Sequence, residues 1–256
     1  MVLSPIFERF PRIGLDELNV KAELLTRRDN KYLLNATQLA DVLLALEAHC
    51  ELLEIDGRHR FRYESIYLDT EDHHCFRDHN QNRRHRLKLR FRHYADTRLA
   101  YFEVKVKDRN NQTRKYRQRV DHGVFSGAAL TPELMSFLGS KLQNHPHQLA
   151  KTLYGPTIQV DYERITLVSR QESVRVTLDN RLRFSQGSGV FHTGDDLWVM
   201  EVKSEKGRSW IDRLLVHQRI RPVPRCSKYC VGLSLVNEVA RISRFTSTAN
   251  LIRRMT

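Results

Sequence analysis

The chain has 256 residues, 40% of them hydrophobic, with 11 Gly and 7 Pro, which is enough apolar material for a globular core and too little Gly and Pro for a low-complexity chain. Its formal net charge of +13 makes polyanions the expected partners: nucleic acid, an anionic membrane surface or a phosphate-rich small molecule. No run approaches the roughly 18 apolar residues of a membrane helix, and Met1 to Asn19 lacks the apolar region of a secretory signal.

Cys50, Cys75, Cys226 and Cys230 form neither a CxxC pair nor a zinc spacing, so a reducing cytoplasm is the expected location, with the inner face of a membrane as the alternative. The domain expectation is an irregular leader over 1–26, a single domain over 27–241 and a solvated basic tail over 242–256.

In chain order, Arg27 to Leu34 reads as a strand and Thr37 to Leu53 as an amphipathic helix, with Leu39, Val42, Leu43, Leu46 and Cys50 on one face and Asn35 or Thr37 as its cap. Tyr63 to Asp69 reads as a strand, and the His-rich segment Glu71 to Asn82 as a helical turn or loop. Arg86-Leu87-Lys88-Leu89-Arg90-Phe91-Arg92 then alternates basic and apolar residues with period two, which a strand turns into one charged and one apolar face. The same device returns in Tyr101 to Lys107, Arg175 to Arg183 and Val199 to Lys203. Thr131 to Leu153 is an expected helix interrupted near Pro146, Gln159 to Val168 a strand, and Gln186 to Asp196 a Gly-bearing hairpin connection. Ile211 to Ile220 and Val231 to Arg241 are expected helices.

The charge is concentrated. Arg83 to Arg119 holds fourteen Lys or Arg against three acidic residues. Each alternating strand taken singly is explained by a solvated polar face. Glu103 beside Lys105, and Glu201 beside Lys203, add carboxylates to the same faces, and mixed Arg, Lys and Glu are what a phosphate chain with a divalent cation needs. Curling the sheet into a closed antiparallel β-barrel with flanking helices, an α+β arrangement, brings those faces together as a tunnel wall.

With Lys31-Tyr32, Ser65-Ile66-Tyr67-Leu68-Asp69, Lys88-x-Arg90-x-Arg92-x-Tyr94, Phe102-Glu103-Val104-Lys105, Lys115-x-Arg117, Tyr162-x-Arg164, Arg175-Val176-Thr177-Leu178-Asp179, Met200-Glu201-Val202-Lys203 and Ser227-Lys228-Tyr229 in this order, the chain resembles the VTC-domain, polyphosphate-polymerase branch of the triphosphate tunnel metalloenzymes. The resemblance implies a triphosphate or polyphosphate inside the tunnel, with Lys31, Arg90, Arg92, Lys105, Lys115, Arg164 and Arg175 as its catalytic phosphate ligands. It implies Lys88 and Arg117 as further substrate contacts, with Lys203, Ser227 and Lys228 at the tunnel mouth. Glu201 and Glu103 would hold Mn²⁺ or Mg²⁺. ATP and inorganic polyphosphate are the implied substrates, and a membrane protein is a candidate partner. One departure stands out: relatives carry a glutamate near the start of the first strand, where this chain offers only Asp29.

The expected reaction is transfer of the ATP γ-phosphate to a growing polyphosphate. The alternatives are a triphosphatase, with Glu103 or Asp179 as base for water, and a binding module for polyphosphate or inositol phosphates. Nucleic acid is not the expected ligand, because Phe91 and Phe102 fall on the apolar face and leave few aromatics among the charges. His73, His74, His79, His85 and His93 lack a ligand spacing and read as loop or surface residues.

Overall fold

The computed structural model describes residues 3–21, 28–107, 112–143, 153–236 and 243–256. Its strands are β1 (Arg12–Ile13), β2 (Arg28–Leu34), β3 (Cys50–Leu53), β4 (Phe61–Asp69), β5 (Arg86–Tyr94), β6 (Leu99–Lys107), β7 (Thr113–Val120), β8 (Gly155–Ser169), β9 (Arg175–Gln186), β10 (Gly189–His192) and β11 (Trp198–Ser204). One sheet runs β2-β11-β9-β8-β4-β5-β6-β7, while β10 pairs with β9 and β3 bridges β1 to β8. Every pair along the main path is antiparallel.

Period two dictates the layering. On β5, Leu87, Leu89 and Phe91 are essentially inaccessible, whereas Lys88 and Arg90 keep part of their surface. The apolar faces turn outward under helices. One outer core joins Leu89, Phe91, Phe102 and Val104 to the helices His122–Gly127 and Pro132–Lys141. The other joins Tyr32, Val176, Leu178, Met200 and Val202 to the helices Ala36–Leu46 and Trp210–His217. The charged faces turn inward around a cavity lined from β2 to β7. Among the described residues no ladder joins β7 to β2; that seam carries Lys115 and Arg117, charges that also discourage pairing with a foreign strand.

Several expectations are corrected. The first helix ends at Leu46, because Cys50 to Leu52 form a ladder with Ser169 to Leu167 that buries Leu52; tertiary pairing overrides helical periodicity there. Asn35 is its cap, in a reciprocal capping box with Gln38. The leader is not irregular. It forms the helices Ser4–Phe7 and Leu15–Lys21 with β1 between them, and Phe7 and Phe10 are buried, Phe7 with its ring 6.4 Å from that of Trp198.

The tail is not a solvated end either. Helix Thr246–Met255 buries Ala249 and Ile252 on the core that holds helix Lys228–Val236. The helical turn expected within Glu71 to Asn82 is the helix His74–Asn80, whereas His93, expected in a loop or at the surface, is buried with Nδ1 2.8 Å from Glu64 Oε2. Strand β7 was not foreseen. Helices Pro132–Lys141 and Lys228–Val236 match the first parts of two expected helices, whose remainders at 144–152 and 237–241 lie outside the described residues, as do residues 1–2, 22–27 and 242 of the leader, first strand and tail. Among the described residues, no helix is long and apolar enough to cross a membrane.

Candidate phosphate-binding tunnel

All fourteen residues expected at the site line one cavity of about 1250 Å³. They reach it from β2, β5, β6, β7, β8, β9, β11 and the start of helix Lys228–Val236, so no local stretch of chain could have assembled it.

The register arranges them in rows. Lys88 stands opposite Lys105, and Lys105 opposite Lys115. Like charges directly opposite each other destabilise an antiparallel pair, so three lysines abreast are a local cost to the fold. Lys105 is open to the solvent within the cavity yet enclosed by its walls. That enclosure, followed by repulsion from Lys88 and Lys115, lowers its pKa to about 7. Lys88 is also pushed down by burial, while its Nζ donates to Ser227 Oγ at 2.8 Å.

In the next row Arg90 and Arg117 flank Glu103. Arg90 Nε donates to Glu103 Oε2 at 2.6 Å and Arg90 Nη1 to Tyr67 Oη at 3.1 Å. Burial works against a charge on Glu103, but Arg90 and Arg92 outweigh it and hold the carboxyl at about 2. On the opposite wall Glu201 stands between Lys31 and Thr177, and Lys203 between Asp29 and Arg175. Lys31 Nζ donates to Glu201 Oε1 at 3.0 Å, and Lys203 lies 3.4 Å from Oε2 of the same carboxylate. Burial opposes ionisation of Glu201 too; Lys203 and Lys31 overcome it and keep the carboxyl well below its usual range. Burial lowers Lys203 to about 8 against the pull of Glu201. Lys203 is largely enclosed, 8% exposed, within the cavity wall.

A third cluster centres on Asp179, which is inaccessible to solvent. Arg164 binds it through Nε and Nη2 at 2.6 and 2.8 Å, and Lys228 Nζ donates to its Oδ2. The Arg164 guanidinium also lies 4.9 Å from the Tyr63 ring and 5.2 Å from that of Tyr162, with Lys228 4.6 Å from Tyr162. Arg92 and Arg90 sit over Tyr63 and Tyr67 in the same way. Tyrosine rings therefore form a stiff floor on which the arginines are held by cation–π attraction.

Two buried carboxylates outside the cavity fix its frame. Asp212 accepts from Ser209 N at 2.7 Å, Asn30 Nδ2 at 2.9 Å and Tyr32 Oη at 2.7 Å, tying helix Trp210–His217 to β2. Asp69 accepts from Cys75 N and Phe76 N at 2.7 and 2.9 Å and from Tyr229 Oη, which anchors the helix bearing Lys228.

Tyr67, Tyr162 and Thr177 stood in the motifs without a role, and Tyr63 marked only a strand boundary, because a tyrosine floor exists only once the sheet curls. The available clue was the two-residue spacing of Tyr162 from Arg164 and of Thr177 from Arg175.

Among the described residues no group of three or more His, Cys, Asp and Glu converges as a metal cage. The donors nevertheless fit Mg²⁺ or Mn²⁺, which accept one carboxylate and take the rest of their shell from phosphate oxygens and water. Glu201 would offer such a carboxylate once Lys31 and Lys203, which now engage it, turn to phosphate. Glu103 is engaged by Arg90, and Asp179 by Arg164 and Lys228.

Similar solved structures include a protein from Hippeastrum described as an adenylyl cyclase with a dominant triphosphatase activity, 15% identical, covering 80% of this chain and 94% of that one at a TM-score of 0.48. They also include a conserved hypothetical protein from Pyrococcus furiosus, 12% identical, covering 82% and 100% at 0.46, and a protein from Vibrio parahaemolyticus described as an adenylate cyclase, 13% identical, covering 80% and 96% at 0.45. The curated proteins contain no match. The sequence pattern of the VTC domain matches residues 26–237, the whole of the curled sheet from β2 to the helix that carries Lys228, and the chain belongs to the VTC-domain family.

Proposed function

We propose that the tunnel binds the phosphates of ATP or another triphosphate and transfers the terminal phosphoryl group to inorganic polyphosphate. The observation that carries the reading is the row Lys88, Lys105, Lys115, placed in register on three adjacent strands with Lys105 lowered to about 7. A polyanion in this row converts mutual repulsion into attraction and returns the proton to Lys105.

Phosphoryl transfer needs little covalent chemistry from a protein, since its loose transition state spreads charge over three equatorial oxygens while the attacking and leaving oxygens lie in line. A terminal oxygen of the polyphosphate attacks the γ-phosphorus, the bond to the β–γ bridging oxygen breaks, and ADP leaves. Arg164, held by Asp179 and the rings of Tyr63 and Tyr162, and Arg90, held by Glu103 and Tyr67, are pre-oriented donors for those oxygens. Lys31 and Lys203 neutralise donor and acceptor phosphates near Glu201. A divalent cation on Glu201 would supply Lewis-acid charge to the phosphate oxygens.

The buried carboxylates speak against one route to hydrolysis, water activated by a carboxylate base. A water nucleophile calls for a base that takes a proton near neutral pH, whereas Glu103, Asp179 and Glu201 are all held well below the ordinary carboxylate range by their cations. Incubation with γ-labelled ATP, Mn²⁺ and a short polyphosphate primer tests the proposal. A ladder of lengthening chains supports it. Free phosphate alone means a triphosphatase, and tight binding without turnover a sensor.

A further inference from the structure

The cavity lining reaches both ends of β5, nine residues long, and at about 3.4 Å per residue those ends lie roughly 27 Å apart. At one end the lining includes Tyr94, Asp96 and Leu99. At the other it includes Arg86, Arg225 and Arg244. Arg244 lies outside residues 26–237, the span that matches the family, on the segment leading into helix Thr246–Met255.

That segment is locked in place. Phe245 is buried with its ring 6.1 Å from that of Phe76, Arg244 N donates to Asn80 Oδ1 at 2.8 Å, and Thr248 Oγ1 donates to Pro224 O at 3.0 Å. Arg253 Nη2 reaches Ser234 O at 3.1 Å. The C-terminal helix thereby clasps the helix His74–Asn80, the residues that lead to Ser227, and the helix that carries Lys228. Arg244, just before this helix, is exposed and contributes to the cavity lining.

The three arginines are short of negative partners. Arg86 donates to the neutral acceptors Asn82 Oδ1 and Arg83 O at 2.9 and 3.0 Å. Burial and the approach of Arg244 both disfavour its charge, and the carboxylate within electrostatic reach, Asp78, is engaged by Arg83 at 3.2 Å. Among the described residues neither Arg225 nor Arg244 has a carboxylate partner. Guanidinium forks around an opening match the oxygens of a linear phosphate chain.

We propose that Arg86, Arg225 and Arg244 form a rim subsite that grips inorganic polyphosphate where the chain leaves the tunnel, and that the C-terminal segment beyond the family-matched region completes it with Arg244. The proposal rests on the tunnel binding phosphate chains. A triphosphate is held by the central rows and does not need the rim; a longer chain engages both.

The test compares binding of tripolyphosphate and of long-chain polyphosphate to the full chain, with Arg244→Ala, Arg244→Lys and Arg225→Glu. In Arg244→Ala, long-chain affinity falls roughly three- to tenfold, the size of one exposed charge-assisted contact, with tripolyphosphate affinity unchanged. Lysine at 244 restores most of the loss, and Arg225→Glu loses more than Arg244→Ala. Equal loss for both ligands, or no loss for the long chain, overturns the rim subsite while leaving the tunnel reading intact. If the unaltered protein binds neither ligand, the tunnel reading fails and this proposal with it.

Discussion

Lys31 and Glu201 face each other across the β2–β11 ladder and share a 3.0 Å ion pair, with Lys203 3.4 Å from the other carboxylate oxygen. Two ammonium groups thus occupy the carboxylate suited to a divalent cation, so cation binding there requires both to turn toward phosphate. Metal and triphosphate are expected to bind with positive coupling: titration calorimetry of Mn²⁺ should give tighter binding with a non-hydrolysable triphosphate present than without it. Glu201→Gln should abolish that coupling and reduce turnover by about 10²-fold or more, the scale for removal of a transition-state electrostatic group.

Polyanion affinity should depend on pH through Lys105 and Lys203, lowered to about 7 and about 8. A bound polyanion raises both values, so affinity for tripolyphosphate falls as pH rises from 7 toward 9. Stability of the unliganded protein moves the opposite way. The unfolded lysines hold their protons up to about 10.4, so the unfolded state binds more protons above pH 7 and the folded state gains stability with rising pH. Binding and thermal unfolding measured between pH 6.5 and 9 check both signs, and Lys105→Met should flatten both curves.

Acid should act through the carboxylates. Asp179 and Glu103 have depressed folded values, so their stabilisation is present above the ordinary carboxylate range and is lost as pH falls through that range toward about 2 for Glu103. Asp179→Asn should cost about 3 kcal/mol at neutral pH, because it leaves the Arg164 and Lys228 charges without their buried partner. Urea unfolding at pH 7 and at pH 3 should show a smaller difference in this variant than in the unaltered protein.

Gly232 lies where helix Lys228–Val236 meets β8 and β9. A Cβ there would fall 2.5 Å from Phe184 Cδ1 and 2.9 Å from Ile158 Cδ1, closer than real contacts allow. Gly232→Ala should therefore lift the helix, destabilise the fold by about 1–3 kcal/mol and displace Lys228 from Asp179. Tripolyphosphate affinity measured well below the unfolding temperature should fall, whereas an exposed-helix control, Ser140→Ala, should leave it unchanged.

Much of the site was legible because a strand writes its two faces into the sequence: alternation at Arg86 to Arg92 and at Val199 to Lys203 gives the charged face without any structure. The helix boundary at Leu46 was not, since Cys50 to Leu53 carry apolar residues compatible with helix or strand until β8 lies alongside them. The tail misled for a related reason. Arg253 and Arg254 look solvated in isolation, and only the docking of Ala249 and Ile252 shows a packed helix with a basic outer face.

The sequence by itself determined which residues share a face and that this face is strongly basic, because strand periodicity and charge are local properties. Only the tertiary structure decided which charges meet. The rows Lys88–Lys105–Lys115 and Lys31–Glu201–Thr177, the burial of Asp179 between Arg164 and Lys228, and the approach of Arg244 to Arg86 depend on register and on the curl of the sheet. Those are set by packing between elements far apart in the chain, where a one-residue slip would turn every side chain to the other face.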